Sequence, residues 1–426
     1  MRKSIIEFFI ISAWALASLI LSSCASSDDD AGAGSEIAMT DDSSIDDTAG
    51  DDLPGDDSLD DAGDDAGDDD TSEPTRLLVI GDDGSGAMSW LQSASGWTKY
   101  PIPRPPSSEN LLMELGPVFF LDGQKGYSAW NSHLVITYLW FELTLGHKWL
   151  VFDPSTGWSF DDVRAPACPL TEVKHLFIPG GQSYWVAAHF YYTYYLDGTN
   201  LEALFRYSGS DPHMSLFSDN ITSMFFPSEN AGLVASDESG EGQVKRFTGT
   251  GWLPWNYPSL FQSGTFLWLW LEDMENGFLI WNDGSTYSIV QLDQSTFEIV
   301  TAPIGCENLP FRALFAQGGH AVAIEGEDDF FLLNDRFLEL RDGTWYCRNL
   351  GSADSLTTPV HALVLKDGRE FIAATPHTGN GLLFQITADD VIPVALPVDL
   401  ITIRSVHAIG PQAPKYSLRP LLYYSE

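Results

Sequence analysis

Two aromatic runs are the first candidates for chemistry. Tyr191-Tyr192-Thr193-Tyr194-Tyr195 and Phe266-Leu267-Trp268-Leu269-Trp270 repeat rings at alternate positions. Alternate residues of a strand share a face, so Tyr192 with Tyr194, and Trp268 with Trp270, would present paired rings. Such pairs either stack on sugar rings or pack one sheet against the next. Other reactive side chains form no motif. The nine histidines (133, 147, 175, 189, 213, 320, 361, 377 and 407) fall in no metal-ligand spacing such as His-Glu-x-x-His. There is no Gly-x-Ser-x-Gly elbow and no Walker loop. Neither a metal nor a cofactor is expected.

The N-terminus has a clearer pattern. Arg2 and Lys3 precede an apolar run, Ile5 to Leu21, interrupted only by Glu7 and small polar residues and followed by Ser22-Ser23-Cys24. A basic start and a short apolar stretch read as an export signal. The run is marginal as a membrane span. Its ending resembles the lipobox of bacterial lipoproteins, in which a cysteine after a small residue is acylated and becomes the mature N-terminus. That resemblance implies a signal peptide over 1–23 and a membrane anchor at Cys24, held stably if two or three acyl chains are attached. Ala25, rather than Asp, follows the cysteine. In Gram-negative lipoproteins this implies the outer membrane.

Residues 24–75 are rich in Asp, Gly, Ala and Ser. Between Ala25 and Thr75 there are 18 Asp and 2 Glu with no Lys or Arg. So few large apolar residues cannot offset the entropy of ordering, and a disordered tether is expected. Its Asp runs lack the register of a calcium loop. The rest of the chain is also acidic within the total of −39. Clustered Lys and Arg are needed to grip phosphates, so nucleic acid is excluded as a partner.

From Arg76 to the C-terminus the chain reads as strands and turns. Ile221 to Pro258 is the clearest unit, with four short strands closed by Gly249-Thr250-Gly251-Trp252. One such sheet cannot bury its own faces, so copies must stack. Turn aromatics at Trp252, Phe297 and Trp345 recur at propeller-like intervals. The expectation is an all-β protein, a β-propeller of seven four-stranded blades over 76–426. The first unit lacks its opening strand, and Ile403 to Ile409 offers one, closing the ring and removing sheet edges. Tyr416 to Tyr424 could add another strand to that first blade.

The strand Gly-apolar-apolar-Ala and the Gly-Trp or Gly-Thr-Trp turns of the fourth and sixth units are similar to repeats of secreted bacterial propellers, including the sialidase-like superfamily. Asp342-Gly343-Thr344-Trp345 is two residues shorter than the Asp-box of that superfamily. Gly180-Gly181 and Gly318-Gly319 resemble the paired glycines of kelch repeats without the aromatics that should follow. Sialidase-type catalysis would need arginines converging on a carboxylate and a Tyr-Glu pair. Arg312, Arg336, Arg341, Arg348, Arg369 and Arg404 are scattered through the C-terminal half.

Besides Cys24 there are Cys168, Cys306 and Cys347. They allow one disulfide, with Cys306 and Cys347 the favoured pair, or three buried thiols. Two functions fit: a membrane-anchored binding or scaffolding module for a protein or glycan, or a polysaccharide hydrolase or lyase working in the central funnel. The first is preferred because no catalytic constellation is visible.

Overall fold

The computed structural model describes residues 74–419 except 106–110, 137–140, 162–171, 181–182, 191–200, 209–210, 218–219, 229, 239–240, 308, 326–334, 352–356 and 377–378. The expectations for Cys24, the signal peptide and the tether, and those for Cys168, Tyr192 and Tyr194, lie outside the described residues.

Among the described residues the regular structure is strand, apart from one 3₁₀ turn at Ser259–Phe261. The fourth unit shows the plan. Asn220–Ser228, Ala231–Glu238, Glu241–Phe247 and Trp252–Pro254 pair antiparallel in chain order. The third, fifth, sixth and seventh units repeat it, opening with Glu172–Gly180, Thr265–Leu271, Ala313–Gln317 and Thr357–Val364. Tight turns make these meanders. At Asp342-Gly343 both residues have positive φ (50° and 72°), as a two-residue hairpin requires.

The ring closes as expected. Thr402–Ile409 pairs with Arg76–Asp82 and becomes the innermost strand of the first unit. This leaves neither end of the ring as a bare edge.

Six four-stranded blades result, not seven. The second unit is instead a six-stranded sheet. Its hairpin, Lys125–Ile136 with Phe141–Asp153, has strands of 12 and 13 residues. That length offers pairing sites to two short strands in succession, Val118–Leu121 and Leu111–Leu115. A further strand, Tyr416–Arg419, pairs with Val118–Leu121. The C-terminal segment therefore joins the second unit, not the first.

Between sheets the core is aromatic, and one layer runs round the axis. Each sheet contributes a ring from an inner strand: Phe119, Phe177, Phe225, Trp270, Phe315, His361 and His407. Successive centroids lie 5.0 Å (Phe119–Phe177), 5.0 Å (Phe177–Phe225), 6.4 Å (Phe225–Trp270) and 5.5 Å (Trp270–Phe315) apart. The circuit continues at 4.7 Å (Phe315–His361) and 5.2 Å (His361–His407), and Phe120 meets His407 at 4.6 Å. These spacings suit offset and edge-on aromatic contacts. Gly126 and Gly232, each on a second strand, lie so close to Phe120 and Phe226 that a Cβ would collide with the rings.

Candidate functional site

Among the described residues, Tyr416 occupies the axis. Tyr416 packs against Phe119, Phe177 and Phe225 with centroids 6.2, 5.0 and 5.6 Å away. Its hydroxyl donates to the Pro227 carbonyl at 3.1 Å, and burial pushes the phenol up from its ordinary value. His407, fully buried, bonds Ser417 Oγ at 2.8 Å and Ser405 Oγ at 2.9 Å. His361 Nε2 donates to the Leu418 carbonyl at 3.0 Å, while its Nδ1 accepts from Val406 N–H at 3.4 Å. The last described strand thus occupies the place where a funnel ligand would sit, and both histidines serve to hold it.

The second place is a buried charge cluster between the sixth and seventh units. Glu339 lies on Arg336–Arg341, and Glu370 opens Glu370–Pro376. Both are fully buried. Arg341 pairs with Glu339, and its guanidinium lies 4.0 Å from Glu370. Arg348 reaches Glu339 at 3.3 Å and donates to the carbonyls of Thr387 and Ala388, both at 3.1 Å. His320 Nδ1 is 3.2 Å from Glu370 Oε1. Burial, reinforced by the adjacent Glu339 carboxylate, pushes Glu370 up to about 9, so it holds its proton at neutral pH. Of the arginines singled out in the sequence, these two do converge, but on an enclosed carboxylate. The cluster joins two blades, with both carboxylates fully buried.

The aromatic pair Trp268 and Trp270 is also structural. Both are buried, 3% and 5% exposed. Their indole N–H groups donate to the carbonyls of Leu314 (2.6 Å) and Ala316 (2.8 Å) in the next sheet. Both rings stand edge-on to Phe315. The alternation is real, but its face meets the sixth blade, so neither ring can stack on a ligand. Cys306 and Cys347 are joined by a disulfide, with Cα atoms 5.7 Å apart. It clasps the connection into the sixth blade to that blade's outer strand.

A better site lies at the rim of the fourth unit. The outer strand Trp252–Pro254 is only three residues long, and Pro254, which has no N–H, blunts its outer edge. Trp255 makes one more bond to the sheet, its N–H to the Val244 carbonyl at 2.9 Å. The chain then leaves through Tyr257 and Pro258 into the 3₁₀ turn. Phe261 locks this connection, buried against Phe266, Trp281 and Phe297 at 5.9, 5.2 and 5.8 Å. Tyr257 stands edge-on to Phe266 at 5.5 Å, and Trp255 is held by Phe297 at 5.1 Å. Gln243 and Lys245, two apart on Glu241–Phe247, share a face of the sheet.

These residues enclose a groove of ≈ 770 Å³, with Trp252, Trp255 and Tyr257 as ring walls and Gln243, Asn256 and Gln262 as amides. Among the described residues Lys245 is the groove's one charged side chain. Burial raises the Tyr257 phenol above its ordinary value, so it stays a hydroxyl donor. Volumes of about 300–1,000 Å³ with a few polar groups among apolar walls are typical of ligand sites. Among the described lining residues no nucleophile stands beside a carboxylate or histidine base.

No protein-family model and no curated protein sequence matches the chain. Solved structures do resemble it. The dihydro-heme d1 dehydrogenase NirN in complex with DHE is 14% identical, with a TM-score of 0.44, over 79% of this chain and 75% of that one. A prolyl endopeptidase is 10% identical, with a TM-score of 0.47, over 79% of this chain and 47% of that one. TolB from Acinetobacter baumannii is 9% identical, with a TM-score of 0.38, over 75% of this chain and 78% of that one. The chain thus spans less than half of the endopeptidase chain. These likenesses bear on the fold alone.

Proposed function

We propose that this protein is a membrane-anchored binding module, displayed outside the cytoplasm on its Asp-rich N-terminal segment, which engages a ligand through the rim groove of the fourth unit. The groove carries the reading. It offers half-buried rings, amides and a ligand-sized volume, whereas the axis, where a hydrolase or lyase would work, holds Tyr416 and Ser417. Chain direction supports display. Thr75 enters the first unit beside Ile409, at the end where first strands turn into second strands. Outer strands end at the opposite side, and there Trp255 to Gln262 lie. A lipid anchor at Cys24 and an outer-membrane location belong to the same proposal, supported by the sequence Ser22-Ser23-Cys24-Ala25.

The test is thermal unfolding of the purified protein against a panel of glycans and peptides. A ligand at about 100 times its dissociation constant adds about 2.7 kcal/mol. The shift should vanish in Trp255→Ala. A shift that survives this change would move the site elsewhere. Incorporation of a labelled fatty acid, abolished by Cys24→Ala, checks the anchor.

A further inference from the structure

We infer that the rim groove takes an uncharged, hydroxyl-rich glycan chain, an assignment that rests on reading the groove as the binding site. Its polar walls are the first argument. A primary amide donates and accepts, as a sugar hydroxyl does, and can satisfy the hydroxyl both ways. A carboxylate could only accept, and among the described residues none lines the groove, although the chain has 60 acidic residues against 21 Lys and Arg. The second argument is the rings. Sugar C–H groups carry slight positive charge and favour the negative face of an aromatic ring. Trp255 is pinned between Phe297 and Tyr257, so little side-chain freedom is lost when a ligand arrives.

Size and charge narrow the class. Ten described residues line the groove, against the roughly 20–30 a side that a folded protein partner engages. A single extended chain fits this scale. Net charge of −39 sets up a field that repels polyanions. A single lysine does not reverse it, and Lys245 then serves as a hydrogen-bond donor.

The experiment is calorimetric titration of the purified full-length protein with cellohexaose, maltohexaose and mannohexaose as neutral probes and hexagalacturonate as the acidic one. Saturable binding of a neutral hexasaccharide is expected. Its dissociation constant should hold between about 0.05 and about 0.5 M NaCl, since screening does not touch an uncharged ligand. Trp255→Ala should weaken binding at least about tenfold. Gln262→Ala, at an exposed position, should weaken it without disturbing the fold. Tyr346→Ala, removing an exposed ring on the sixth blade, should leave it unchanged. The inference is overturned if no neutral probe binds, or if binding is indifferent to Trp255→Ala and Gln262→Ala. Binding of hexagalacturonate alone, lost in Trp255→Ala, would overturn the neutral class while leaving the groove reading intact. A peptide-induced thermal shift that depends on Trp255, with no saccharide bound, would do the same.

Discussion

Glu370 is the residue whose environment most alters its chemistry. Its carboxyl keeps a proton in the folded protein that the unfolded chain releases near 4.5. The stabilisation linked to that proton is complete below the unfolded value and is lost as pH rises through about 9. Each unit between the two values corresponds to about 1.4 kcal/mol. Glu370→Gln keeps the shape and cannot ionise. Urea unfolding at pH 6 and pH 9 should show a marked alkaline loss in the wild type and a much flatter profile in the variant. An equal loss in both would place the alkaline sensitivity elsewhere. Legibility at this scale was uneven. The alternation of Trp268 and Trp270 correctly implied a strand, yet a blade buries both faces, so periodicity could not say which rings reach solvent. Trp255 and Tyr257 did leave a trace, since Pro254 and Pro258 bracket them and mark a connection where side chains reach a surface.

At the scale of the element, the strand Tyr416–Arg419 and the Cys306–Cys347 clasp make separate demands. Tyr416→Ala removes a ring that touches three sheets and should cost about 3–5 kcal/mol in urea unfolding. Tyr416→Phe loses only the bond to Pro227 and should cost about 1 kcal/mol. Similar values for the two would mean the axial ring layer contributes little. Cys347→Ser opens a loop with a sequence separation of 41 and should cost about 2–4 kcal/mol, an effect that reductant reproduces in the wild type. Turn signals make most blades readable from the sequence. The second unit resisted because its long apolar hairpin hides how many partners it can pair with. The axial layer was present in the chain, at Phe225, Trp270, Phe315, His361 and His407, with steps of 45, 45, 46 and 46. Two of its members are histidines, whose polarity disguises a buried ring position.

For the whole molecule, closure decides whether the sheets form one body. Val79 and Ile80 on Arg76–Asp82 are fully buried, and Thr402–Ile409 covers the inner edge of their strand. A chain ending at residue 401 should lose its near-ultraviolet circular dichroism and aggregate, whereas one ending at residue 415 should keep the ring with lowered stability. If both behave like the wild type, the closing strand is dispensable. This part of the architecture was legible because an incomplete first unit and a spare last strand, Ile403 to Ile409, stand at opposite ends of the chain and complement each other.

Thr75 receives the Gln412 N–H at 2.9 Å, and the next residue, Arg76, is paired with Ile409. A pull on the chain at residue 74 would reach this corner first. Against a ligand held at the opposite side, that pull would run along Arg76–Asp82, so its pairs with Thr402–Ile409 and with Ala87–Ser93 would share the load in shear. Mechanically, the point of attachment is also the seam of the ring, so tension along the N-terminal segment works directly against closure.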